Sequence, residues 1–149
     1  MGYNGGTMSE RMSRAETGQY LHLANEDLAA ARDNLHLGHL RVAVSRAYYA
    51  MFYAATAVLG SQGLWRSKHQ GLIAAFGEHL VKTGQVEREY GRILHDAFDA
   101  RLDSDYAPYP DLNEASVQHL IASAQAFVQR MAQLLAEQAG DSGGEDAPD

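Results

Sequence analysis

Cysteine does not occur in this chain. Its absence removes disulfides, thiolate nucleophiles and cysteine-held zinc or iron–sulfur centres together. Proline is scarce, three residues in all, and two of them fall in the short stretch "YAPYP". No apolar run approaches the roughly eighteen residues of a membrane-spanning helix, so no membrane segment is expected. The opening "MGYNGGTMSER" lacks the apolar centre of a signal peptide, which makes the cytoplasm the expected location. Positive charge is also in short supply. The formal net charge is -7, and the closing "GDSGGEDAPD" holds Asp141, Glu145, Asp146 and Asp149, leaving the body mildly acidic. No basic stripe of the kind that displaces counterions along a nucleic-acid backbone is visible. A local contact with RNA or a nucleotide needs only a few arginines and stays open.

What is present reads as helix. A chain of 149 residues supports one domain with one core. Residues 1–12 and 140–149, rich in glycine, serine and acids, are expected to be disordered tails around a body at 13–139. Apolar residues recur at three and four from Arg14 to Leu37, with Gly38 as a stop. A second helix is expected from about Leu40 to Leu59, broken by Gly60 and Gly63. Ser67 and Gln70 have capping-box spacing for a third, from Lys68 to Thr83. The fourth runs from Glu87 to Asp103, where "YAPYP" denies backbone donors. Asp111 and Glu114 offer another box for a fifth helix ending near Ala139. No stretch alternates like a strand. The expected fold is all-α, an up-and-down bundle of four to five helices.

Helix two carries only Arg41 and Arg46 as charges, with apolar or aromatic residues around its axis, so it should be the central element. Its "SRAYYAMFYAA" brings tyrosine hydroxyls that need partners once buried. Ser45, Tyr49, Phe52, Tyr53 and Thr56 share one side as a polar seam, or the tyrosines bond neighbouring helices or line a dimer interface. On helix four, Arg101 falls within the apolar arc of Tyr90, Ile93, Leu94, Ala97 and Phe98. A guanidinium facing a core requires a carboxylate, an aromatic face or an anion. Asp105, four residues on, is one partner; RNA or another anion is the alternative. Lys68 and His69 open helix three, where free N–H groups favour anions, or form an ordinary exposed start. The histidines show no paired-ligand motif, and no metal site or cofactor is expected. Neither a nucleophile elbow nor a P-loop occurs.

The order "LHLGHLRVAVSRAYYAMFYAATAVL", "SKHQGLIAAFGEHLVKTG", "RLDSDY" and a long closing helix resembles the HEPN superfamily (higher eukaryotes and prokaryotes nucleotide-binding), in its small stand-alone prokaryotic form. The resemblance covers roughly residues 14–136. It implies a homodimeric helical bundle, often paired with a minimal nucleotidyltransferase in a toxin–antitoxin-type or defence module. Active members are metal-independent ribonucleases whose signature is an arginine, four to six residues, then a histidine, brought together at the dimer interface. Arg101 matches the arginine. The histidine is missing: Tyr106, Ala107 and Pro108 stand where it would fall, and Asp105 and Tyr106 are the polar groups in its place. The resemblance also implies that Tyr106 lies near the position where a partner can attach a nucleotide. Three readings follow: a dimeric nucleotide- or RNA-binding partner with a degenerate signature, a divergent ribonuclease using Arg101 and Asp105 with Arg46 and Tyr49 beside them, or a non-catalytic helical adaptor.

Overall fold

A computed structural model of the chain describes residues 10–107 and 111–146. The described residues contain helices and no strand: α1 (Arg14–His36), α2 (Leu40–Ser61), α3 (His69–Phe76), α4 (Arg88–Tyr106) and α5 (Glu114–Asp146). The fold is the expected all-α bundle.

The boundaries follow from local chemistry. Ser13 and Glu16 form a reciprocal box at the start of α1: the Glu16 amide donates to Ser13 Oγ (3.1 Å) and the Ser13 amide to Glu16 Oε1 (2.8 Å). At its end Gly38 takes φ 82°, a left-handed conformation that glycine adopts without strain. The short turn that follows folds α2 back on α1. At the far end of α4, Ala107 is extended (φ -80°, ψ 130°), as the residue before Pro108 must be.

Both capping boxes read from the sequence for later helices are corrected. α3 begins at His69 with Lys68 as its N-cap and no side-chain cap bond, so Ser67 stands one residue too early to cap. For α5 the cap is Asn113: its Oδ1 accepts from the Ser116 amide at 2.8 Å, two residues later than the expected pair. The single helix expected over Lys68–Thr83 is also divided. At Gly77–Val81 the ladder widens to a π-turn, in which the Lys82 amide reaches the Gly77 carbonyl at 2.9 Å. α5 passes the expected end at Ala139 and continues to Asp146; Gly140, Gly143 and Gly144 weaken a helix without removing a donor. Of the expected N-terminal tail, residues 10–12 are described, and the Met12 amide donates to the Gly60 carbonyl at 2.8 Å; residues 1–9 and 147–149 lie outside the described ones.

α2 is the central element, packed against α1, α3, α4 and α5. Ala43, Ala47, Ala50, Ala54, Ala55 and Ala57 are all fully buried, and their small side chains let neighbours approach from several directions. Tyr48, Met51, Val58 and Leu59 supply the bulk, meeting Leu72, Phe76, Leu94, Phe127 and Met131 in one core. By length and composition α2 qualifies as a membrane span, which the sequence reading did not anticipate, but 67% of its apolar window is buried inside the bundle.

Candidate functional site

The residues singled out on α2, α3 and α4 meet on one side of the bundle. α2 provides Arg46, Tyr48, Tyr49 and Phe52 over two helical turns. α3 contributes its first residue, His69, and α4 contributes Phe98, Arg101 and Asp105. The His69 ring is ringed by aromatics, with centroids 4.8 Å from Phe52, 5.5 Å from Tyr48, 5.6 Å from Tyr49 and 6.0 Å from Phe98. Both arginines are drawn to the same ring: the guanidinium of Arg46 lies 5.3 Å from the Tyr49 centroid and that of Arg101 lies 5.4 Å from it. Arg101 is also 5.8 Å from Tyr48.

The expected Arg101–Asp105 pair is present, with Nε 3.1 Å from Oδ2 and the arginine side chain 17% exposed. The contact is close but poorly aimed, because Nε is a buried nitrogen without a hydrogen bond. The terminal nitrogens of Arg101 hydrogen-bond no described residue and are not among the buried unpartnered atoms. Arg101 is therefore held by two aromatic faces and one carboxylate, with donor capacity to spare.

Tyr48 is fully buried, yet its hydroxyl is 2.7 Å from Nδ1 of His69. Burial pushes the Tyr48 phenol well above its ordinary range, so it stays protonated. Burial also lowers the His69 pKa from its ordinary value, helped by the charge of Arg101, and a neutral imidazole results at neutral pH.

Arg46 is tied on its other side to Asp27 of α1, with Nη1 2.9 Å from Oδ1. Burial raises the Asp27 carboxyl above its ordinary value even though Arg46 pulls it down. The folded state thus holds this proton more tightly than the unfolded chain. The associated stability is present below the ordinary carboxylate value and is lost as pH rises through the raised one. Arg46→Ala is expected to cost about 1–2 kcal/mol at pH 7, the penalty for a broken buried pair being discounted because Arg46 is 38% exposed. Urea denaturation at pH 7 and pH 4 checks this. The deficit should be smaller at the lower pH, because Asp27 takes up its proton as pH falls through the raised value and then needs no counter-charge; an equal deficit at both contradicts it.

Two expected site residues stand apart. Lys68 is exposed at the N-cap of α3, and Tyr106, the last residue of α4, is 75% exposed. Neither makes a recorded contact with the cluster. The polar seam is only partly realised: Thr56 is buried but donates back to the Phe52 carbonyl at 2.8 Å, while Tyr53 continues the aromatic run at 6.1 Å from both Tyr49 and Tyr20. Tyr48, Phe98 and Asp27 were missed as site residues. Asp27 was visible in principle, since it falls at helical spacing between Ala24 and Ala31 on the buried face of α1. Among the described residues, His95, Asp96 and Asp99 bring potential ligand atoms within 4.8 Å of one another. All of that group is exposed, and His95 Nδ1 lies 3.4 Å from Asp99 Oδ2. Two cavities lie away from the cluster: about 920 Å³ beside Met12 and Leu135, and about 560 Å³ between α4 and α5.

An all-α bundle with an arginine on the inward arc of α4, set against an aromatic helix, defines the class. The HEPN domain family matches residues 18–134, and the chain belongs to it. It is 38% identical over 112 residues to a Thermotoga maritima protein named "UPF0332 protein", covering 75% of this chain and 85% of that one. It is 36% identical over 124 residues to a Methanocaldococcus jannaschii protein named "Putative toxin MJ0605", covering 83% and 92%. A second protein from that organism, named "Putative toxin MJ0142", is 24% identical over 117 residues, covering 78% of this chain and 80% of its own length.

Proposed function

We propose that this chain is the toxin-like member of a toxin–antitoxin-type or defence pair, a homodimer that binds RNA or a nucleotide at the cluster around Arg101 and is held in check by a minimal nucleotidyltransferase. The observation that carries the reading is the convergence of Arg46 and Arg101 on the Tyr49 ring. Cations beside aromatic faces answer the two chemistries of a single-stranded nucleotide, its phosphate and its base. Such a local site needs no basic stripe, which agrees with the acidic body. The toxin names of the two Methanocaldococcus relatives support the role. The half-buried line Tyr20, Tyr53 and Tyr49 supports self-association along the same face. Tyr106 is exposed enough to accept a nucleotide from a partner, and Lys68 is free to meet a phosphate running on from the cluster. Asp105 serves as the counter-charge of Arg101, which leaves it a poor candidate for a catalytic base.

The test is fluorescence anisotropy of an end-labelled single-stranded RNA 12-mer titrated with the full chain, with sedimentation velocity on the same samples. Saturable binding that weakens with salt, by a species of twice the chain mass, is expected. A chain that binds neither the oligonucleotide nor mononucleotides overturns the reading.

A further inference from the structure

We propose that the groove between α4 and α5 docks an amphipathic helix of a protein partner, one that carries lysine or arginine along the flank lying against α4. The groove is apart from the Arg101 cluster, and its occupancy does not depend on RNA binding there.

The groove exists because α4 and α5 each pack on α2 but touch one another little. Val44 of α2 is left as a buried floor. Ile93 and Ala100 of α4, Leu112 of the connection and Leu120 of α5 form the walls, each half-buried, with one side against the core and another toward the groove. The enclosed volume is about 560 Å³. Along α4 the lining runs from Arg92 to Asp103, roughly 16 Å at about 1.5 Å per residue, or three helical turns.

The two rims differ. On the α4 side stand Asp96 and Asp103, two turns apart on one arc, and Asp111 continues the line past the end of the helix. All three carboxylates are exposed, and none forms an ion pair with a described residue. Arg92, at the opposite end, is the only arginine or lysine among the described lining residues. The α5 rim holds Ser116, His119 and Ser123, with no carboxylate, and its short hydroxyl side chains let a partner come close.

A row of unpaired carboxylates beside an apolar floor selects its occupant by charge. Phosphate-bearing chains are repelled, which keeps nucleic acid out. An extended peptide finds no sheet edge to pair with in a helical bundle, whereas anchors at i, i+3 or i+4 and i+7 of a helix match the turn-by-turn spacing of the walls. The charged rim is exposed along its length instead of closing over, which suits a helix laid in from outside better than an enveloped small molecule. Basic side chains two turns apart on that helix then meet Asp96 and Asp103.

The full chain is titrated with a fluorescent 18-residue peptide of leucine, alanine and lysine, leucines on one helical face and lysines along one flank, at about 0.15 M salt. One control peptide has the same composition in an order that scatters the leucines, and a second has glutamate for lysine. Saturable binding of the first peptide alone is expected, with backbone amide NMR shifts confined to the facing walls of α4 and α5. Asp96→Asn combined with Asp103→Asn should weaken it roughly three- to tenfold, the worth of two rim charges. Ser123→Phe, which fills the groove and removes no charge, should weaken it about fivefold or more. Thermal melts report the folding of each variant, and the asparagine pair, at exposed positions, keeps the test decisive if the phenylalanine variant unfolds. No binding of the first peptide, equal binding of all three, or affinity unchanged in the asparagine pair overturns the proposal. Sedimentation velocity gives a further outcome against it: if Ser123→Phe halves the mass of an associating wild type, a second copy of this chain covers the groove instead.

Discussion

Alanine in place of Arg101 is expected to weaken binding of a single-stranded RNA by roughly ten- to a hundredfold, the equivalent of one or two charge-assisted contacts. The side chain is 17% exposed and lies against Tyr48 and Tyr49, so it is fixed before any ligand arrives and little ordering entropy is lost on binding. Its terminal nitrogens have no hydrogen-bond partner among the described residues, and Nε is a buried donor left unpaired. An incoming anion would satisfy donors that the fold itself does not. The substitution should change stability far less than binding, because the carboxylate it abandons, Asp105, is 33% exposed and can hydrate. Anisotropy and thermal melts on one preparation check both parts. A large loss of stability with unchanged RNA affinity would make Arg101 a structural arginine.

Phe127→Ala should be the most damaging change to the fold, at about 3–5 kcal/mol. Phe127 has no exposure, and its ring centroid is 5.3 Å from Phe76 of α3 and 6.2 Å from Tyr90 of α4. One side chain of α5 thereby joins the two elements that bring His69 and Arg101 to the site. Arg130, one turn on, reinforces the same junction by donating to Glu87 Oε1 at 2.9 Å and to the Gln85 carbonyl at 3.3 Å. Against a typical reserve of about 5–15 kcal/mol the loss is a large fraction of the total, and a fall in the melting midpoint of roughly 10 °C is expected. A midpoint within about 2 °C of wild type would mean the cavity collapses at little cost.

Much of this was legible before any coordinates. The 3.6-residue period placed every helix, and the nearly uncharged α2 announced itself as the centre. Arg101 on an apolar arc required a partner, and Asp105 and the tyrosine faces are what it has. The helix starts were less legible, because Ser, Asp and Asn all cap and neighbouring candidates compete; Asn113 prevails over Asp111 because the chain enters α5 at Glu114. The π-turn at Gly77 left no signal in the periodicity. What sequence could not show was pairing across elements. Tyr48 and His69 are 21 residues apart, and only the fold puts the Tyr48 hydroxyl on Nδ1 of His69.

The central claim is that α2, α3 and α4 build one RNA-binding site around Tyr49, His69 and Arg101. The most direct measurement is NMR of the full chain, with the arginine side chains and histidine rings labelled, during titration with a single-stranded RNA oligonucleotide. The resonances of Arg46, Arg101 and His69 should shift together with one affinity, while His95 and His119 on the outer surface stay in place. Shifts confined to the outer face of α4 and the groove beside α5, with the cluster silent, would contradict it.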